Sequence, residues 1–188
     1  MTRSLNILAL ALAATSPVAC LANISEEHLA LSFSGGHLTD PRDHGRPVVL
    51  IAAALGVPTD VFRKAFSGVT PARNHAPSGD EQRQNKQALL AVLGPYGITN
   101  EQIDSVSDNY RYRPEDGDLW RHQSAEGYAI VIKSRVKAIK LTNPGYGYTS
   151  APNVRILGLN GTAPIVKLKF SRDLSTNGSI ASITLPTH

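Results

Sequence analysis

The chain has one cysteine, one methionine and one tryptophan among 188 residues. The cysteine, Cys20, lies within an N-terminal stretch with the features of a secretory leader. Once that leader is removed no thiol remains, so the sequence predicts neither a disulfide framework nor a paired-cysteine zinc site, and stability has to come from packing alone. Long apolar runs are also missing. The greasiest stretch, residues 5–14, is about ten residues long, well short of the roughly 20 that span a bilayer, which predicts no transmembrane segment in the mature chain. Charge is nearly balanced, with 19 Lys+Arg against 15 Asp+Glu, and the bases are scattered along the chain. Binding a phosphate backbone usually takes a clustered basic stripe, so no nucleic-acid partner is expected. The chain further lacks a Gly-x-Ser-x-Gly elbow, a His-Glu-x-x-His helix, a glycine-rich phosphate loop and an EF-hand loop. No cofactor is expected, and any enzyme reading must be assembled from loose parts.

What is present begins with the leader. Arg3 precedes the apolar residues 5–14, and Thr15-Ser16-Pro17 breaks the helix before Ala22, where Cys20 and Ala22 provide the small residues a signal peptidase favours. Cleavage there assigns residues 1–22 to a signal peptide and leaves about 166 residues, enough for one domain or two small ones. A rival cut after Ala19 would leave Cys20 first, as in a lipoprotein, but Pro17 stands where such signals usually carry Leu. Secretion or a periplasmic address is the expectation.

The mature chain changes character near its middle, which predicts an α+β fold: about four short helices packed against an antiparallel β-meander of about five strands. The helical region covers residues 23–118 and the β region 119–188, either separate or integrated into one domain. The first helix is expected over the apolar residues 48–55, capped by Asp43 or His44 and stopped by Gly56. A second spans residues 60–66 and a third residues 80–94, where Asn85 faces inward as an anchor or outward as a solvated amide. Thr99 and Gln102 form a capping box for a fourth helix, with Ile103, Val106 and Tyr110 on one face. Strands are expected over residues 128–132, 135–141, 153–157, 163–170 and 179–185. Asn160-Gly161 and Asn177-Gly178 have the chemistry of tight hairpin turns, which also accounts for their match to a glycosylation sequon.

Two segments carry resemblances. The run Gly35-Gly36-His37-Leu38-Thr39-Asp40-Pro41-Arg42-Asp43-His44-Gly45-Arg46-Pro47, with Leu55-Gly56-Val57-Pro58 and Val61-Phe62-Arg63-Lys64-Ala65-Phe66, resembles an uncharacterised family of secreted bacterial proteins, a likeness that implies no activity. Residues Gly145-Tyr146-Gly147-Tyr148-Thr149-Ser150-Ala151-Pro152 are similar to a segment repeated in β modules of bacterial surface and phage tail proteins, which implies a display or interaction role. Glycines there permit a sharp corner, and Tyr148 can lie over Pro152.

Two constellations are candidates for chemistry. His37, Asp40, Asp43 and His44 combine imidazole and carboxylate, good metal ligands and proton-transfer partners; capping of the following helix and pairing with Arg42 and Arg46 is the competing structural account. The second is an aromatic and cationic platform of Tyr112, Arg113, Trp120 and Arg121, suited to a glycan or protein; against it, a lone Trp at a junction commonly fills the seam between layers. The function that follows is an exported, non-enzymatic binding module for an extracellular or periplasmic protein or glycan. The alternative is a small secreted hydrolase or metal-dependent protein using His37, Asp40, Asp43 and His44.

Overall fold

The structure, a computed structural model, describes residues 25–70, 77–112, 117–161 and 163–186. Residues 1–24, which include the expected signal peptide, together with Arg73, Asn74, His75 and Arg113, lie outside the described residues. The fold is α+β, with four α-helices in the N-terminal half and antiparallel strands after them.

The helices form where apolar spacing and caps place them. Helix α1, Val48–Leu55, has no fully exposed residue, as its all-round apolarity requires, and Gly56 ends it at φ 70°. Its start differs from expectation. Asp43 and His44 belong to a preceding 3-10 turn, Pro41–Asp43, and Pro47 occupies the α1 N-cap position without a side-chain hydrogen bond. Helix α2, Thr59–Ser67, buries Phe62 and Ala65. Helix α3, Gly79–Leu93, opens on a capping box between Ser78 and Glu81 and buries only Leu93. Asn85 is the anchor: its amide accepts from the Thr70 N–H at 2.8 Å and donates to the Thr70 carbonyl at 2.9 Å. Helix α4, Asn100–Asn109, carries the Thr99–Gln102 box and turns Ile103 and Val106 inward.

The sheet contains a strand within residues 23–118, where helices alone are expected. Strand β1, Glu26–Ser34, alternates Leu29, Leu31 and Phe33 with exposed positions, a period-2 signal readable in retrospect. The other strands are β2 Glu126–Ile132, β3 Arg135–Asn143, β4 Asn153–Ile156, β5 Ile165–Lys169 and β6 Ser179–Thr184. The order is β3-β2-β1-β4, with β5 and β6 as a separate antiparallel pair. Consecutive strands pair at β1–β2, β2–β3 and β5–β6, but β3 and β4 do not, because β1 takes the place beside β4 that a meander would give to β3. With its two neighbours drawn from the far end of the chain, β1 ties the N-terminal part to the β half.

The two-residue turn is not at an Asn-Gly pair. Lys133 and Ser134, at φ 50° and 59°, join β2 to β3, the positive-φ geometry of a two-residue hairpin turn. Asn160-Gly161 lies between strands that do not pair, and Asn177-Gly178 ends a nine-residue connection from β5 to β6. Apolar residues gather in three clusters: one among the helices that includes Trp120, one around Tyr148 and Ile180, and one around Ala129, Val131 and Ile156.

Candidate functional site

The acid–histidine cluster divides: Asp40 and Asp43 meet at Arg63, whereas His37 packs among aromatic rings. Asp40 caps the 3-10 turn by accepting from the Arg42 N–H at 3.0 Å, and its carboxylate also takes the Arg42 guanidinium at 2.7 Å. Those hydrogen bonds hold the Asp40 carboxyl well below the usual carboxylate range. Asp43 is buried and receives the Arg63 guanidinium in two bonds, Nε to Oδ1 at 2.7 Å and Nη2 to Oδ2 at 2.9 Å. Arg63 also reaches Asp60 at 3.0 Å and Asp40 at 3.4 Å, so one α2 side chain gathers three carboxylates. The sequence reading paired these acids with Arg42 and Arg46; Arg63, 20 residues beyond Asp43, is the partner it missed. Arg46 instead lies 4.8 Å over the Phe66 ring. His44 sits in the left-handed region at φ 48°, and its backbone N–H closes the turn onto the Pro41 carbonyl.

His37 faces the other way, into a nest of rings. It stacks on Tyr148 with centroids 5.6 Å apart, meets the Trp120 edge at 5.8 Å and lies 4.5 Å from His122. His122 Nδ1 donates to the Trp120 carbonyl at 2.8 Å, since a carbonyl oxygen can only accept. The His37 Nε2 is itself buried and has no hydrogen-bond partner among the described residues. Burial, with the neighbouring His122, pushes the His37 imidazole below its ordinary pKa. Among the described residues no three His, Cys, Asp or Glu side chains converge as a metal site.

The aromatic platform is dismantled. Trp120 is 1 % exposed, packs with the helical core and donates Nε1–H to the Gly147 carbonyl at 2.7 Å, which takes its face away from any surface ligand. It fills the seam between helices and strands. Tyr112 is tucked against Gly45 and lines a hollow of about 180 Å³ with Arg46, Phe66, Ile103, Tyr110 and Arg111. Arg121 is exposed, and Arg113 lies outside the described residues.

The segment 145–150 proves to be a hub. Gln123 and Tyr146 exchange backbone hydrogen bonds at 3.0 and 3.1 Å, and Tyr148 Oη accepts from the Ala125 N–H at 2.8 Å. Gly147 and Tyr148 donate to the Asn177 and Gly178 carbonyls at 2.9 and 3.0 Å. Gly147 has φ 83°, and any Cβ there would strike the His122 side chain and the Arg121 carbonyl. Thr149 and Ser150 both donate to the Gly36 carbonyl, at 2.9 and 3.1 Å, and Gly36 itself is pressed between Tyr148 and Pro152. Their side chains complete a clasp: Thr149 Oγ1 donates to the Leu38 carbonyl at 2.8 Å, and the Leu38 N–H donates to Ser150 Oγ at 3.1 Å. The two stretches singled out in the sequence thus meet in space. The clasp ends on Leu38, whose side chain is 78 % exposed.

Asn177 locks the hub to the helices. It is fully buried; its amide N–H groups donate to the Leu50 carbonyl at 2.8 Å and to Tyr110 Oη at 2.9 Å, and its oxygen accepts from the Ser171 N–H at 3.1 Å. Burial pushes the Tyr110 phenol up to about 12. No family of proteins, curated protein or solved structure matches this chain.

Proposed function

We propose that the chain is an exported, non-enzymatic binding module that presents an apolar contact to an extracellular or periplasmic protein. The observation that carries this is Leu38. A single exposed leucine is ordinary on a protein surface. This one differs in that hydroxyls from Thr149 and Ser150 hold both its backbone groups while its side chain stands in solvent. A residue held this way loses little entropy when a partner closes over it, and preorganisation of that kind is what gives a small contact useful affinity. The leader over residues 1–22 and the likeness of Gly145 to Pro152 to surface modules support the export and display parts of the reading. An aliphatic knob fits a protein pocket better than a glycan. The alternative, a hydrolase or metal-dependent protein built on His37, Asp40, Asp43 and His44, has less behind it because Arg42 and Arg63 already hold both carboxylates.

The test is recovery of partners from the native extracellular fraction by tagged mature protein, with Leu38→Asp alongside. A protein retained by the wild type and lost with Leu38→Asp, at an unchanged melting temperature, is the expected result. Equal retention by both forms overturns the reading, as does stoichiometric bound metal that disappears in the double variant His37→Ala/His44→Ala.

A further inference from the structure

The four-stranded sheet leaves its outer strands, β3 and β4, unpaired with each other. Yet Val136 of β3 and Ile156 of β4 belong to the same apolar cluster, and residues of both edges line one hollow. Between them lies a cavity of about 460 Å³, within the roughly 300–1,000 Å³ range of small-ligand pockets. Val136, Val154, Ile156 and Leu159 supply an apolar lining, and one arginine from each edge, Arg135 and Arg155, supplies charge; among the described residues no carboxylate lines it.

Neither guanidinium is engaged by a carboxylate among the described residues. Arg42, Arg63, Arg83 and Arg111 each hold a carboxylate, whereas Arg135 and Arg155 have no ion pair or side-chain hydrogen bond among the described residues. The imbalance is regional, since residues 119–188 hold nine Lys+Arg and two Asp+Glu. Two unneutralised cations beside a low-dielectric hollow create a positive potential focused on it, and guanidinium forks match a carboxylate in bidentate geometry. A small hydrated anion would gain nothing from the apolar walls, and a neutral hydrocarbon nothing from the arginines. A molecule with a carboxylate head on an apolar chain uses both.

We propose that the cleft between the β3 and β4 edges binds a fatty-acid-like carboxylate, its head on Arg135 and Arg155 and its chain against Val136, Val154 and Ile156. The proposal rests on the reading of the chain as a binder and adds a ligand class at a site away from Leu38. Calorimetric titration of the mature protein with submicellar laurate tests it, with dodecanol and inorganic phosphate as probes of the chain and the charge alone. Saturable binding of laurate, weakened about tenfold by Arg135→Gln or Arg155→Gln and further by the double variant, is expected, because a hydrogen bond to a charged group is worth about that factor. Dodecanol and phosphate should bind far more weakly. Both arginines are exposed, so the variants should keep the wild-type urea midpoint. Absence of laurate binding, equal binding by the double variant, or dodecanol binding as tight as laurate overturns the proposal. None of these outcomes alters partner capture through Leu38, so the two readings fail separately.

Discussion

Replacing Asn177 tests the argument that the hub holds the two halves together. The side chain is fully buried and makes three hydrogen bonds, to the Leu50 carbonyl, Tyr110 Oη and the Ser171 N–H. Asn177→Ala removes all three and leaves a small void. A buried polar group stripped of its partner costs about 1–3 kcal/mol. The Tyr110 hydroxyl can rotate and the Leu50 carbonyl lies within a helix ladder, so a total of about 3 kcal/mol is the reasoned figure. For a domain of this size that corresponds to a melting temperature lower by about 6–12 °C. Urea denaturation followed by fluorescence reads it directly, because the single tryptophan, Trp120, is buried in the same seam. Asn177→Asp sharpens the test. A carboxylate there cannot donate to the Leu50 carbonyl, whereas a protonated acid can, and burial raises its folded pKa above the unfolded value. The folded variant then binds more protons than the unfolded one, so its deficit relative to wild type should be large at neutral pH and shrink as pH falls through the raised pKa. A loss under about 1 kcal/mol for Asn177→Ala, or an Asn177→Asp deficit that does not change with pH, would refute the account of the hub given by its hydrogen bonds.

Arg63→Gln should be the most damaging change on the helical face, costing about 3 kcal/mol, because it leaves the Asp43 carboxylate buried without its charge partner. Asp43→Asn added to it should recover part of that loss in urea denaturation; no recovery would mean that the guanidinium acts by packing alone. His37 has its folded pKa lowered by burial, first, and by His122. The unfolded chain therefore binds the proton more readily, and the His37 contribution should be fully present above its ordinary value near pH 6.5 and be lost as pH falls through the lowered folded value. Subtracting the stability profile of His37→Gln from that of the wild type isolates it, and a flat difference between pH 7.5 and 5 contradicts the assignment.

The helices were legible because their signals are local. Thr99 and Gln102 stand three apart, Gly56 follows the last apolar residue of α1, and both did what their chemistry predicts. Strand positions in the β half were legible for the same reason, their boundaries falling within two residues of expectation. What was not legible depended on residues far apart. The alternation of Leu29, Leu31 and Phe33 says that a strand exists but not that β2 and β4 flank it. Asp43 looks like a helix cap until α2 brings Arg63 against it, after which it is the buried half of a part-buried ion pair. Trp120 could serve a surface or a seam equally well by composition, and the Gly147 carbonyl that receives its N–H decides for the seam.

Asn177-Gly178 lies in the turn that joins the β5–β6 hairpin, as expected, but does more there than reverse the chain. Asn and Gly favour turns because one forms hydrogen bonds with nearby backbone and the other tolerates positive φ, and a surface turn is the commonest place to use either. The same two properties suit a crowded interior junction. A glycine lets backbones approach closely enough for N–H and carbonyl groups from separate segments to meet, as Gly36, Gly147 and Gly178 do around Tyr148. An asparagine offers donors and an acceptor without charge, which lets Asn177 satisfy helix, loop and phenol at once. In a chain with a single cysteine, such a junction takes over the task of fixing distant segments that a disulfide would otherwise perform. The clasp on Leu38 is its outermost part, so the rigidity of the displayed leucine and the stability of the fold should have a common origin: loosening the hub at Gly147 or Asn177 should weaken partner capture through Leu38 even where the fold survives.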